Sequence, residues 1–494
     1  MNEKIEKWGI YEACFQGPKE GNPFLEVKFT VVFKHERKLV EVDGFYDGDG
    51  TYKVRLMPSI LGNWIFTTKS NVVSLDARSG SLECVEATAN NHGQVRVKEK
   101  FHFEYTDGTP HYSFGTTCYA WINQSVELQE KTLETLKNSP FNKIRMCIFP
   151  KHYDYNHNEP LLYAYEGSLE EGFNFTKFNP EFFRHLEKRI LDLQQIGIEC
   201  DLILFHPYDR WGFSKMSAEN DDMYLKYIVS RLSSFRNIWW SLANEYDMFM
   251  DSTTNIPTKT IDDWERLAYI VQRNDPYQHL RSIHNCLKFY DYGKPWVTHC
   301  SIQRIDAFKT SENTNEWRKL YGKPIVIDEC GYEGNINHGW GNITGKEMTR
   351  RFWEGVVRGG YVGHGETYVH PEDILWWAHG SELHGTSPTR IAFLRGIIEA
   401  APGAINPIDT GSLGFNPYWD VTVGTVKEDY YLFYFGFYQP TFRTFKMPEG
   451  KKYKVELIDT WDMTITQMEG NFSGDFRIEM SGKQYMAVRM TREY

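Results

Sequence analysis

Apolar and polar residues alternate one by one along much of the first hundred positions. Leu25 to Phe33, Tyr52 to Leu56 and Trp64 to Thr67 keep a period of two, which sets one face of each strand on a core and the other in water. Between them stand Gly17-Pro18, Gly21-Asn22-Pro23 and Asp47-Gly48-Asp49-Gly50, where glycine supplies positive φ and Asp or Asn bonds the backbone. The pattern predicts a small antiparallel, Ig-like β-sandwich over residues 1–98.

After Lys98 the rhythm changes to apolar strand, then amphipathic helix. Strands are predicted at His111 to Thr117, Lys143 to Phe149, Cys200 to His206, Asn237 to Ala243, Leu280 to His284, Trp296 to Ile302, Pro324 to Asp328 and Gly360 to His364. Helices are predicted at Val126 to Lys137, after the Asn179-Pro180 cap with its Phe183, Leu186, Ile190 and Leu193 stripe, through Leu225 to Leu232, and around Thr389 to Ala400. Eight such alternations over residues 99–405, with no Gly-rich dinucleotide fingerprint after the first strand, predict a (β/α)8 TIM barrel, so the fold class is α/β. Alternation returns at Tyr430 to Phe435, Tyr453 to Ile458 and Tyr485 to Met490, which predicts a second antiparallel β-sandwich over residues 406–494.

Length agrees with this division, since 494 residues and 58.0 kDa exceed one ordinary core. The net charge of -11, with no Lys/Arg stripe, excludes nucleic acid as an expected partner. No stretch is apolar and long enough to span a bilayer, and the Met1 to Trp8 segment has no apolar export signal, so a soluble cytoplasmic protein without a membrane partner is expected. Eight cysteines scattered singly, none in C-x-x-C spacing, fit reduced thiols. Aromatics at 16% suit either sandwich cores or the stacking of flat sugar faces.

The chemistry sits at strand ends. Asn237-Ile238-Trp239-Trp240-Ser241-Leu242-Ala243 runs apolar and stops in Asn244-Glu245-Tyr246; Lys323-Pro324-Ile325-Val326-Ile327 stops in Asp328-Glu329-Cys330-Gly331. Buried parallel strands deliver their C-terminal residues to one rim, so Glu245 and Glu329 are expected to face each other across one pocket. Asp328 is expected on the opposite face of its strand, in a supporting role.

Asn244-Glu245 closing the fourth strand and Glu329 closing the seventh resemble the signature of clan A retaining glycoside hydrolases. More narrowly, Gly21-Asn22-Pro23-Phe24, Gly44-Phe45-Tyr46-Asp47-Gly48, Gly62-Asn63-Trp64 and Trp376-Trp377-Ala378-His379-Gly380, with the two strand ends, are similar to glycosidases with an apiosidase-like barrel between an N-terminal and a C-terminal sandwich. The resemblance implies hydrolysis of O-glycosidic bonds in oligosaccharides or glycosides, with Glu245 as acid and base, Glu329 as nucleophile, and no cofactor or metal. It also implies Arg145 beneath the nucleophile and Asn244 on a sugar 2-hydroxyl. His206, His284 and Asn285 are candidates for other hydroxyls, and Trp376 or Trp377 for the stacking floor, with the other packed in the core. The clan's tyrosine against the nucleophile is expected at Tyr332 or Tyr368.

Two other readings compete. His364, Glu366 and His370, or His338 and His379, could assemble a metal-dependent hydrolase, although none has helical i, i+4 zinc spacing. A decayed barrel between binding sandwiches would make a non-catalytic carbohydrate-binding protein, but such a pocket has no need to hold two carboxylates together.

Overall fold

The computed structural model describes residues 3–248, 258–370, 375–408 and 418–494. At the N-terminus a five-stranded sheet, in the order Glu3–Glu6, Ser79–Val85, Gly62–Ser70, Phe29–His35, Lys38–Asp43, closes a core with the three strands Tyr11–Gln16, Thr51–Leu56 and Phe45–Tyr46. Val31, Phe33, Val54, Leu56, Trp64 and Leu82 fill it, all from the alternating positions. One pairing is not antiparallel: Glu3–Glu6 runs parallel to Ser79–Val85.

The segment expected to be the first barrel strand is split. Pro110–His111 completes a three-stranded sheet with Val95–Lys98 and His102–Tyr105, and only Gly115–Thr117 enters the barrel. The crossing backbone between them is satisfied by one side chain: Asn142 donates to the Tyr112 carbonyl and accepts from the Phe114 N–H, each at 2.8 Å. The small sheet plugs the bottom of the cylinder, its Phe103 packing 5.1 Å from Trp239 and 5.0 Å from Tyr361 between ring centroids.

The barrel strands are Gly115–Thr117, Lys143–Cys147, Glu199–Phe205, Ile238–Ala243, Arg281–Ser282, Cys300–Gln303, Ile325–Glu329 and Tyr361–His364. All pair in parallel, the first beside the eighth, and a bridge between His284 and Ser301 joins the fifth to the sixth and closes the ring. Helix ends follow the local chemistry. Asn179 caps Pro180–Gln195 with Pro at its first turn, and Thr260 with Asp263 forms a capping box on Ile261–Asn274. A hairpin, Tyr165–Ser168 with Gly172–Phe178, adds to the loop above the second strand.

The C-terminal sandwich sets a six-stranded sheet against the pair Phe442–Lys446 and Asp475–Glu479. Both sandwiches dock firmly. Arg55 makes a bidentate ion pair with Glu187 of the barrel at 2.8 and 2.9 Å, while Arg231 bridges Glu187 at 2.6 Å and Asp47 at 2.7 Å. On the other side Trp353 stacks on Tyr434 at 5.2 Å.

Candidate active site

Inward-facing residues of the barrel build the site in layers. Lys143 lies fully buried between Asp201 at 3.0 Å and Asp328 at 2.7 Å, and Arg145, one inward position higher, approaches Asp201 at 3.4 Å. Asp328 therefore points into the barrel, not to the opposite face as the pleat suggested. The pairing of the sixth and seventh strands shifts register between Ser301 and Gln303, so Asp328 and Glu329 both reach the interior, one behind the other. Ser301 donates to Asp328 at 2.6 Å and holds His284 Nδ1 at 3.1 Å. On the fourth strand the turn is made at Glu245 itself, whose φ of +52° is a strained conformation for a residue with a Cβ. That twist lets Asn244 and Glu245 both stay buried at the rim.

The two glutamates meet there. With its nitrogen toward the carboxylates, the Gln303 amide donates to Glu245 Oε1 at 3.2 Å and to Glu329 Oε2 at 3.1 Å, so one side-chain amide spans both groups. Glu329 also accepts from the Tyr119 hydroxyl and lies 3.2 Å from His284 Nε2. Glu245 accepts from Tyr208, and Asn244 Oδ1 accepts from Arg145 at 3.4 Å and lies 3.0 Å from the Tyr119 hydroxyl oxygen.

These partners separate the two acids. Burial raises the Glu245 pKa and the negative charge of Glu329 raises it further, favouring the protonated form. Burial acts the same way on Glu329, but the contacts with His284, Arg145 and Tyr119 outweigh it and hold the carboxyl below its usual range. Arg145 is itself buried, yet Asp328, Tyr119, Asp201 and Glu329 keep its pKa above the ordinary guanidinium value. The shifts in opposite directions favour one carboxylic acid and one carboxylate side by side.

Above them opens a cavity of about 450 Å³ lined by Glu245, Glu329, Asn244, Gln303 and a wall of aromatic rings, among them Tyr153, Trp340 and Trp377. Trp377 meets Tyr153 edge-on at 5.1 Å and Trp340 at 4.9 Å. Lys151 enters this wall with its ammonium 3.7 Å from the Tyr119 ring centre, 4.2 Å from Tyr208 and 4.6 Å from Tyr153. Burial lowers its pKa.

Residues 97–392, more than half of the chain, match the apiosidase-like catalytic domain. The chain belongs to the apiosidase-like family. Two domains of unknown function flank this match, DUF5060 at residues 4–71 and DUF5605 at residues 419–491. The apiosidase-like chain is 38% identical to a candidate glycoside hydrolase of known structure from Bacteroides vulgatus ATCC 8482, over 100% of both chains, with a TM-score of 0.93. A family 5 glycoside hydrolase from the same organism shares the fold at 16% identity and a TM-score of 0.61, over 81% of this chain and 94% of its own. Another solved structure described as a glycoside hydrolase aligns at 16% identity and a TM-score of 0.63, over 81% of this chain and 97% of its own. Comparison with curated proteins finds no match.

In this apiosidase-like barrel Glu245, Glu329, Asn244, Tyr332 and Trp377 line the cavity, with Arg145 and His284 directly behind them. Other expected residues stand elsewhere. The Nε2 atom of His206 contacts the Phe149 carbonyl at 3.2 Å, and Asn285 clamps the Gln303 backbone through 3.0 and 3.1 Å bonds. Trp376 is buried and donates to Thr116 at 2.9 Å. The tyrosine that bonds Glu329 is Tyr119, two residues past the first strand, whereas Tyr368 donates to Glu333 at 3.2 Å. Tyr119, Tyr208 and Lys151 carry no periodic signal in the sequence because each sits just beyond a strand or in a loop, and Gln303 ends a sixth strand that the sequence pattern stopped at Ile302. His338 lines the cavity, His379 is buried away from it, and His370 stacks on His384.

Proposed function

We propose that this glycoside hydrolase works by retaining double displacement, with Glu329 as nucleophile and Glu245 as acid and then base. The observation that carries the reading is that one end of the Gln303 side-chain amide lies 3.2 Å from Glu245 Oε1 and 3.1 Å from Glu329 Oε2. Retention needs carboxyls about 5–5.5 Å apart, whereas inversion leaves room for a water at about 6.5–9.5 Å. A bridging amide favours the short arrangement.

Each step then has its residue. Glu329, ionised by Arg145 and His284 and oriented by Tyr119, attacks the anomeric carbon as Glu245 gives its proton to the leaving oxygen. Once the glycosyl-enzyme forms, the charge of Glu329 is gone, the pKa of Glu245 falls, and Glu245 can take a proton from the attacking water. Asn244 and Gln303 are placed to hold hydroxyls of the sugar beside the reacting carbon, and Trp377 with Trp340 and Tyr153 offers apolar faces for the ring. The substrate is a carbohydrate, and we propose an oligosaccharide or simple glycoside that fits the cavity.

Alanine variants test the roles. On an aryl glycoside with a good leaving group, Glu329→Ala should lose turnover. Glu245→Ala should slow deglycosylation and regain rate with external azide, giving a β- or α-glycosyl azide of retained configuration. Near-normal rates in either variant contradict the assignment.

A further inference from the structure

Outside the cavity, Glu333, His364 and Glu366 bring one ligating atom each within 4.8 Å of one another. They come from three places: the loop after the seventh strand, the end of the eighth strand, and the residue two beyond it. Both carboxylates are buried, at 0% and 1% exposure, and no Arg or Lys among the described residues pairs with either. Two unpaired buried carboxylates side by side repel and are costly unless a cation or protons offset them.

The remaining valences point to a cation. Glu333 Oε1 is saturated by the Thr386 N–H, the Thr386 hydroxyl and Tyr368, while Oε2 takes the Ser387 N–H at 3.0 Å, with the Ser387 hydroxyl beside the carboxylate. Each oxygen of Glu366 takes a single backbone N–H, from His384 and from Gly385. Such N–H bonds fix carboxylates in orientation while leaving a lone pair on Glu333 Oε2 and on each oxygen of Glu366, as outer-shell donors do at metal centres. His364 is fully buried and stacked on Phe141 at 4.6 Å; its Nδ1 lies 3.1 Å from the Thr116 hydroxyl, and its Nε2 has no partner. Glycine is required alongside: a Cβ on Gly385 would fall 2.6 Å from Glu333 Oε2 and 2.6 Å from Glu366 Oε2.

We propose that Glu333, His364 and Glu366 form a structural site for one divalent transition-metal cation of the zinc or manganese class. One imidazole and two carboxylates suit such ions, whereas calcium prefers oxygen alone. The ion would tie the loop after the seventh strand to the end of the eighth, beside the start of the helix Ser387–Glu399. It would also brace Tyr332, which lines the cavity immediately before Glu333 and packs against Gly365. None of the three ligands lines the cavity, so the site stands apart from the two-glutamate chemistry.

The test uses the full chain, stripped with a chelator and dialysed, and reads binding and stability, not hydrolysis. Added zinc or manganese should bind at one equivalent by calorimetry and raise the unfolding temperature by a few degrees, while calcium should not. Glu366→Gln, which keeps an acceptor for a backbone N–H, and His364→Gln should each weaken binding at least tenfold. If a variant does not fold, anomalous diffraction at the zinc edge on the unmodified protein decides, with a peak among these three residues expected. No binding, no such peak, or binding unchanged in folded variants would overturn the proposal.

Discussion

At the scale of single residues, the site depends on keeping two adjacent carboxyls in opposite protonation states. Tyr119 contributes by donating to Glu329, and a hydrogen bond to a charged group is worth about 1.5–3 kcal/mol. Tyr119→Phe should therefore lower kcat/KM by roughly 10- to 100-fold. It should also shift the pH profile in a stated direction. In the proposed mechanism the acidic limb follows ionisation of Glu329, whose pKa is depressed, and the basic limb follows loss of the proton from Glu245, whose pKa is raised. Removing the phenol takes away one cause of the depression, so the acidic limb moves to higher pH while the basic limb, governed mainly by burial, stays. A uniform drop with an unmoved limb would assign Tyr119 to packing alone. Asn244, Glu245 and Glu329 were legible because polar residues end apolar strands. Tyr119 was not, since a tyrosine beyond a short strand looks like any of the other aromatic core residues, and the orientation of Asp328 was misread because a register shift has no mark in the sequence.

Elements matter through their ends. The fifth strand is only two residues long, yet His284 and Asn285, just past its end, hold Glu329 and the Gln303 backbone respectively. Asn285→Ala should leave Gln303 free to move, lowering kcat more than it changes KM and altering the unfolding temperature little. Steady-state kinetics beside a melting curve checks this, and an unchanged kcat would remove Asn285 from any positioning role. Strand and helix identities were readable from periodicity, as in Val126–Lys137, which the structure matches residue for residue. The division of His111 to Thr117 between two sheets was not readable, because it depends on Asn142, which lies beyond the whole of the following helix.

For the molecule as a whole, the N-terminal sandwich is fastened to the barrel by a buried charge network. Arg231 is 0% exposed and bonds Asp47 of the sandwich and Glu187 of the barrel. Arg231→Ala leaves both acids short of a partner, at a cost of about 3–5 kcal/mol. Burial raises the pKa of both acids, but Arg231 and Lys53 hold Asp47 below its usual range, and Arg55 and Arg231 do the same for Glu187. A depressed folded-state pKa gives stability that is fully present above the unfolded value and is lost as pH falls through the folded one. Melting curves should therefore show the wild type losing more stability than Arg231→Ala as pH falls from neutral to below about 4, the ordinary carboxylate range. Equal losses would deny the network its part. The three-part architecture was visible in the change from period two to strand-and-helix and back, but no sequence pattern announced Arg55, Glu187 and Arg231 as one cluster, because their meeting is set by docking.

The central claim is that Glu329 becomes covalently bonded to the sugar while Glu245 serves it. Incubation with an activated 2-deoxy-2-fluoro glycoside of the sugar that the enzyme turns over, followed by peptide mass mapping, measures this directly. One glycosyl group is expected on the peptide carrying Glu329, released when an acceptor is added. An active enzyme that stays unlabelled, or carries the label on another residue, would contradict it.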